Sequence, residues 1–136
     1  MSKAQASVTA VEAAIGVILL TSVAFTFALG LPGEEDARTE AQLETYAEDT
    51  ATLLLSEAPR HEDQTRLSEV TKSRSAFDRE RDALERRIER ILPANVMFRL
   101  ETRFGPVGYR LPGDVQTGDT TILTPNGEVT LRVWYV

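Results

Sequence analysis

The sequence predicts an α+β protein with an N-terminal transmembrane helix, two amphipathic helices and a C-terminal four-stranded antiparallel β-meander. Three observations predict this fold class. An uncharged apolar run opens the chain, apolar residues then recur at helical spacing, and after Pro93 they alternate with polar residues. The 136 residues leave room for one small domain beyond the apolar run. We therefore expect a short cytoplasmic leader at 1–9, the transmembrane helix at 10–31 and one extracytoplasmic domain at 32–136.

The apolar run extends from Ala13 to Leu31 and contains no charged side chain. As a helix it would be about 28 Å long, close to the roughly 30 Å hydrocarbon thickness of a bilayer. Because Lys3 precedes the run and acidic residues follow it, we expect the N-terminus inside and the domain outside. The predicted localisation is the cell membrane, with a single pass and membrane lipid as a partner. A cleaved secretory signal is the alternative, because Ala28 begins a stretch of small residues that a signal peptidase accepts.

Glu12 precedes the apolar run directly, where an ionised carboxylate costs free energy unless it is paired or reaches the membrane interface. Two interpretations stay open. The carboxylate is solvated at the lipid headgroups, or it pairs with a cation of a neighbouring subunit. Small residues at four-residue spacing in the same segment would permit close approach of a partner helix. Glu12 is therefore the candidate assembly residue.

Two amphipathic helices are predicted after a proline-glycine pair that ends the apolar run. The first covers about residues 34–57 and has eight acidic residues, one arginine and a single apolar stripe. The second covers about residues 75–92, where Ser75 and Asp78 resemble a capping box. The pattern from Leu67 to Val70 fits no one type of structure.

Beyond the second helix the apolar period changes from 3.6 residues to 2, which indicates strands with one buried face. Gly105-Pro106 and Asn126-Gly127 are expected to turn the chain. In the last strand, Trp134 falls on the face opposite the helices and is the candidate interface residue; the alternative is a packed or half-buried position. The four predicted strands cover about residues 95–104, 107–111, 120–124 and 128–136.

Composition and spacing exclude several classes of function. The net charge of −6, with arginines balanced by acids in the second helix, leaves no basic patch for nucleic acid. The absence of cysteine excludes disulfides and thiolate sites. His61 is the only histidine, and its acidic neighbours provide no converging ligands at helical spacing, so we expect an exposed loop histidine and no metal site. We find no catalytic constellation and no cofactor motif, so the sequence predicts no enzyme.

The chain resembles an uncharacterised haloarchaeal family of short single-pass membrane proteins. The resemblance rests on the apolar N-terminal segment and on the segments TRLSEV, ALERRIERILP and VTLRVWY, and it covers most of the chain. Around Glu12 the sequence also looks like a type IV pilin, in which such a glutamate pairs with the N-terminal amine of a neighbouring subunit. The resemblance implies a membrane-anchored, pilin-like structural or accessory subunit of an archaeal cell-surface assembly. It would contact other pilin-like subunits through the transmembrane helix. The alternative is a monomeric membrane-tethered binding module for an envelope partner or ligand.

Overall fold

The structure is a computed structural model that describes residues 12–18, 20 and 33–136. The chain divides into two compact units, residues 1–36 and 37–136. In the first unit, residues 12–18 and 20 are helical. The remaining helices are α1 (Glu34–Ser56), α2 (Arg66–Lys72) and α3 (Arg74–Ile91), and the strands are β1 (Val96–Thr102), β2 (Gly105–Gly108), β3 (Gly118–Thr124) and β4 (Gly127–Tyr135).

The predicted fold class is wrong in its transmembrane helix. Among the described residues, no helix is both long enough and apolar enough to cross a membrane. The helix α1 has 23 residues but is strongly acidic. The other residues of the predicted span, 10, 11, 19 and 21–31, lie outside the described part of the chain.

The predicted β-meander is also wrong, because the four antiparallel strands are arranged in the order β2-β1-β4-β3. Two hairpins lie side by side, with β1 pairing with β4 at the centre of the sheet. In that central pair, Phe98 lies opposite Val133 and Leu100 opposite Leu131, and all four side chains are buried. The two strands with the most regular apolar alternation therefore occupy the centre, where one face is fully covered.

The first hairpin turns earlier than the sequence predicts. Thr102 pairs with Gly105, so Arg103 and Phe104 form the turn, and Pro106 lies within β2 opposite Glu101. A proline is tolerated there because β2 is an edge strand and needs no outward backbone donor. The apolar alternation continues through Phe104, which explains why the predicted strand extended to residue 104.

Two capping motifs set the bounds of the shorter helices. Thr65 caps α2 and forms a capping box with Ser68, which gives a structure to the segment that the sequence left ambiguous. Ser73 caps α3 by accepting a hydrogen bond from the backbone N–H of Ala76, so this helix begins at Arg74 and not at the predicted Ser75 box.

One core joins the helices to one face of the sheet. At Gly118 in β3 the backbone of α1 comes so close that an added Cβ would lie 2.1 Å from the carbonyl carbon of Leu43. Only glycine fits at this position. The largest fully buried apolar side chains include Leu43 and Leu54 of α1, Leu67 and Val70 of α2, Leu84 and Ile88 of α3, and Phe98, Leu100 and Leu131 of the sheet.

Candidate functional site

Glu12, the candidate assembly residue, is exposed at the beginning of the described helical segment. The segment behind it carries large apolar side chains that are also exposed: Ile15 at 53%, Val17 at 63%, Ile18 at 64% and Leu20 at 73%. Large exposed aliphatic side chains in one segment are typical of surfaces that contact other molecules. The structure therefore places Glu12 beside an apolar surface.

Trp134, the candidate interface residue, is only 3% exposed. It lies opposite Met97 of β1 on the face of the sheet that does not contact the helices, and the loop between β2 and β3 packs beside it. Alternation in β4 places its side chain on that face, but the loop buries it. A largely apolar groove of about 420 Å³ runs beside the indole, lined also by Met97, Tyr109, Arg110, Pro112, Val115, Tyr135 and Val136.

A buried carboxylate, Glu69 of α2, holds the loop that connects α1 to α2. Its oxygens accept hydrogen bonds from the backbone N–H groups of Arg60 at 3.1 Å, His61 at 2.8 Å and Glu62 at 2.7 Å. The side chain is 1% exposed. Burial raises the pKa of this carboxyl, but the three amides and the charge of His61 outweigh burial and hold the Glu69 pKa below its ordinary value.

A second buried carboxylate, Glu80 of α3, binds the same loop from the other side. Arg60 Nη1 donates to Glu80 Oε2 at 3.2 Å, and His61 Nδ1 lies 2.7 Å from Oε1. Arg79 Nε donates to Oε1 at 3.0 Å. The Glu80 side chain is 3% exposed, and its oxygens contact two guanidinium groups and the imidazole, which are each about half-exposed.

These contacts correct the expectation that no ligands converge on His61. One ligand atom each from His61, Glu69 and Glu80 lies within 4.8 Å of the others, a spacing that could hold a divalent cation. However, two guanidinium groups and three amide hydrogens already occupy the carboxylate oxygens. The cluster closes a loop, and binding a cation would require the release of Arg60 or Arg79.

The loop needs such anchors because its backbone is strained. Asp63 has a φ of 143°, which costs of order 1–3 kcal/mol for a residue with a side chain. At the beginning of the loop, Glu57 pairs with Arg66 at 3.3 Å and with Arg87 at 2.5 Å. Burial raises the pKa of Glu57, but the hydrogen bonds and charges of Arg87 and then Arg66 outweigh it and lower this pKa overall.

Sequence reasoning missed this cluster because its members come from a loop and two helices. Glu69 lies within a stretch of mixed polarity, and its partners are main-chain groups that have no side-chain pattern. Glu80 lies in a helix dense in charge, where one buried acid looks the same as its exposed neighbours. The available signal was that Glu80 falls on the helical face of Phe77 and Leu84, which are both buried.

The geometry thus defines a small two-layer α+β domain, in which helices cover one face of an antiparallel sheet and buried carboxylates fix a loop. The chain belongs to a family of unknown function, DUF7262, which matches residues 2–135. No curated protein and no solved structure matches this chain.

Proposed function

We propose that this protein is a structural or accessory subunit of a cell-surface assembly, held at the cell membrane with residues 37–136 outside. The observation that carries the proposal is the exposed apolar surface behind Glu12, at Ile15, Val17, Ile18 and Leu20. Burying each such aliphatic side chain contributes about 1.5–3 kcal/mol, so this surface favours association. Lipid and the same segments of neighbouring subunits are the proposed partners.

Glu12 gives the association its specificity in this proposal. A carboxylate in an apolar contact between subunits is unfavourable unless a cation pairs with it. The α-amine of a neighbouring subunit could supply that cation, as in the pilin-like arrangement that the sequence resembles. The proposal therefore makes the Glu12 charge a requirement for assembly.

Residues 37–136 support a structural role through the contacts of three acids, of which Glu69 and Glu80 are buried and Glu57 is half-buried. Glu57, Glu69 and Glu80 are each bound by guanidinium or main-chain donors, which fix the loop between α1 and α2. The pKa values of Glu57 and Glu69 lie below the ordinary value, and a carboxylate with a lowered pKa makes a poor general acid or base near neutral pH. The proposal assigns these residues to stability and assigns the chain no catalysis.

The first experiment measures the mature N-terminus and assembly state of the full chain extracted from cells with mild detergent. We expect processing ahead of Glu12 and a sedimentation coefficient well above that of a monomer. Glu12→Leu should lose the assembly and Glu12→Asp should keep most of it. Glu40→Gln, which also removes an exposed carboxylate, is the matched control.

The proposal predicts that assembly through the N-terminal segment depends on the charge at residue 12. If Glu12→Leu sediments like the unaltered chain while Glu40→Gln does the same, assembly through Glu12 is wrong. A monomeric unaltered chain with an intact N-terminus would instead favour a tethered binding module.

The groove beside Trp134 is the specific observation in favour of that second candidate. Its volume of about 420 Å³ lies within the range of small-ligand sites, and its lining is apolar with Arg110 at the margin. A ligand with an apolar body and an anionic group would match this chemistry.

An anilinonaphthalene sulfonate dye has that chemistry, and Trp134 is the only tryptophan in the chain. We expect energy transfer from Trp134 to the dye in the unaltered protein, and loss of transfer in Met97→Glu, which puts a charge into the groove. Leu123→Glu, on the same face but outside the groove, should retain transfer. Equal transfer in all three proteins would contradict binding in the groove.

A further inference from the structure

The strand β3 forms one edge of the sheet, and within the described residues its outer side has no pairing partner. Its seven residues, Gly118 to Thr124, pair with β4 in continuous register without a bulge. The strand contains no proline and no lysine, the residues that commonly block an edge. Its one charge, Asp119, is neutralised within the sheet by Arg132 at 3.0 Å. The edge is therefore open to another strand.

Apolar surface accompanies this edge. Leu123 of β3 is 74% exposed and Leu55 of α1 is 42% exposed. Both residues line a groove of about 510 Å³ between α1 and β3, together with Glu48, Ala51, Thr52 and Ile122. Pairing at the edge would cover apolar side chains on both faces of the strand, which adds hydrophobic burial to the new backbone hydrogen bonds.

We propose that β3 pairs antiparallel with β3 of a second copy of this chain, about a two-fold axis at Thr121. This contact is separate from the N-terminal surface and does not depend on the function proposed above. The register places Gly118 opposite Thr124 of the second copy, so that all seven residues pair. Because residues directly opposite in an antiparallel pair point to the same face, the two four-stranded sheets form one eight-stranded sheet with its helices on one side.

The strand is complementary to itself in this register. Asp119 lies opposite Leu123 of the second copy, so the Asp119 carboxylates of the two copies are apart. If the register shifted so that the axis passed through Asp119, these two carboxylates would lie opposite each other. Thr121 meets its own counterpart, and threonine pairs are favourable cross-strand neighbours.

A single cysteine tests the contact, since the chain has none of its own. Opposite residues across an antiparallel pair have Cβ atoms about 4.5–5.5 Å apart, near the distance for a disulfide. In the full chain, Thr121→Cys should form a covalent dimer under mild oxidation in most molecules. Glu128→Cys is the matched control, because it is exposed on β4, one strand further from the edge. The control should remain uncrosslinked.

The register is tested by mixing two variants. Asp119→Cys and Leu123→Cys should crosslink when mixed and should crosslink little when oxidised separately. Thr121→Lys should keep the circular dichroism spectrum of the unaltered chain. It should separate the β3–β3 dimer and so halve the mass of that species, because the two lysines would lie opposite each other as like charges.

Crosslinking of Glu128→Cys as readily as Thr121→Cys would overturn the proposal. So would the absence of a covalent Thr121→Cys dimer at concentrations up to about 1 mM, where even a weak complex with a Kd of that order is half formed. Neither result would bear on Glu12, whose test uses different variants.

Discussion

The two edges of the sheet differ in length, in proline content and in backbone regularity. The edge strand β2 has four residues, contains Pro106 and has positive φ angles at Gly105 and Gly108. The edge strand β3 has seven residues in continuous register and none of these features. A short, twisted edge with a proline resists the addition of a strand, while a long regular edge invites it. The comparison indicates that one edge ends the sheet and the other is available for contact.

Different elements support the two edges. Beside β2, Arg74 donates to the carbonyl oxygen of Phe104, whose ring lies 6.2 Å from that of Phe77. Beside β3, α2 contacts the hairpin through a hydrogen bond from Asn126 Nδ2 to the carbonyl oxygen of Ser68 at 3.0 Å. Ring packing with α3 therefore supports the β2 side, whereas polar contacts with α2 and the close approach of α1 at Gly118 support the β3 side.

Of these substitutions, Gly118→Val should destabilise the β3 side of the domain most. Its Cβ would overlap the backbone of Leu43, and neither backbone can move without separating α1 from the sheet. We expect a loss of about 3 kcal/mol or more in the free energy of unfolding, measured by urea denaturation. Gly113→Val is the control, because nothing lies within 4 Å of a Cβ at that position. Equal losses in the two variants would contradict the close approach.

Glu69→Ala should weaken the β3 side next, through α2. The substitution leaves three loop amides without their acceptor and α2 without its anchor to the loop. We expect a loss of about 2–4 kcal/mol, and a smaller loss in Glu69→Gln, which keeps one carbonyl acceptor. Hydrogen exchange should increase at the amides of Arg60 to Glu62 before it increases in β2. Faster exchange in β2 first would contradict the assignment of α2 to the β3 side.

Low pH should also destabilise the β3 side of the domain. The folded-state pKa values of Glu69 and Glu57 lie below the ordinary value of about 4.3, so the stability that they contribute is present above that pH. It is lost as the pH falls through the folded-state values. We expect the free energy of unfolding to decrease as the pH falls below the ordinary glutamate pKa, and to decrease less steeply in Glu69→Gln. An unchanged slope in that variant would show that Glu69 does not couple to acid unfolding.

The smallest effect is expected beside β2, where Tyr109 donates its hydroxyl hydrogen to Glu89 at 2.5 Å. This hydrogen bond and the Glu89 charge raise the pKa of Tyr109 above its ordinary value. The contact contributes stability below the ordinary tyrosine pKa, and that stability is lost as the pH rises through the raised value. Absorbance titration should show the Tyr109 pKa falling in Glu89→Gln. The pKa of Tyr135, raised by burial and by Tyr46, should not change.

The sequence predicts a helix or strand well where a regular spacing of apolar residues ends at a proline or glycine. The observed α1 ends at Ser56 against a prediction of residue 57, and α3 covers Arg74–Ile91 against 75–92. The order of the strands depends on pairing between β1 and β4, which are separated by more than twenty residues, and no local pattern carries that information. The alternation of β4 identifies the face of Trp134, whereas its burial depends on a loop that lacks any period.

The candidate site shows the same limit at shorter range. The bonds of Glu69 join a side chain to main-chain groups only seven to nine residues away, and yet composition marks the loop as an ordinary polar connector. The seven residues of α2 are too few to show a clear helical period.

The three main-chain bonds of Glu69 bear on how well the protein resists proteolysis. Proteases cut chains that can extend through their active-site clefts, and polar surface loops are the usual substrates. The peptide bonds from Arg60 to Glu62 can extend only after Glu69 has released all three amides. Cleavage there should therefore follow the rare opening of α2 and not the exposure of the arginine side chain. The loop has the composition of a protease target, but it would then be cut only as fast as the folded domain opens.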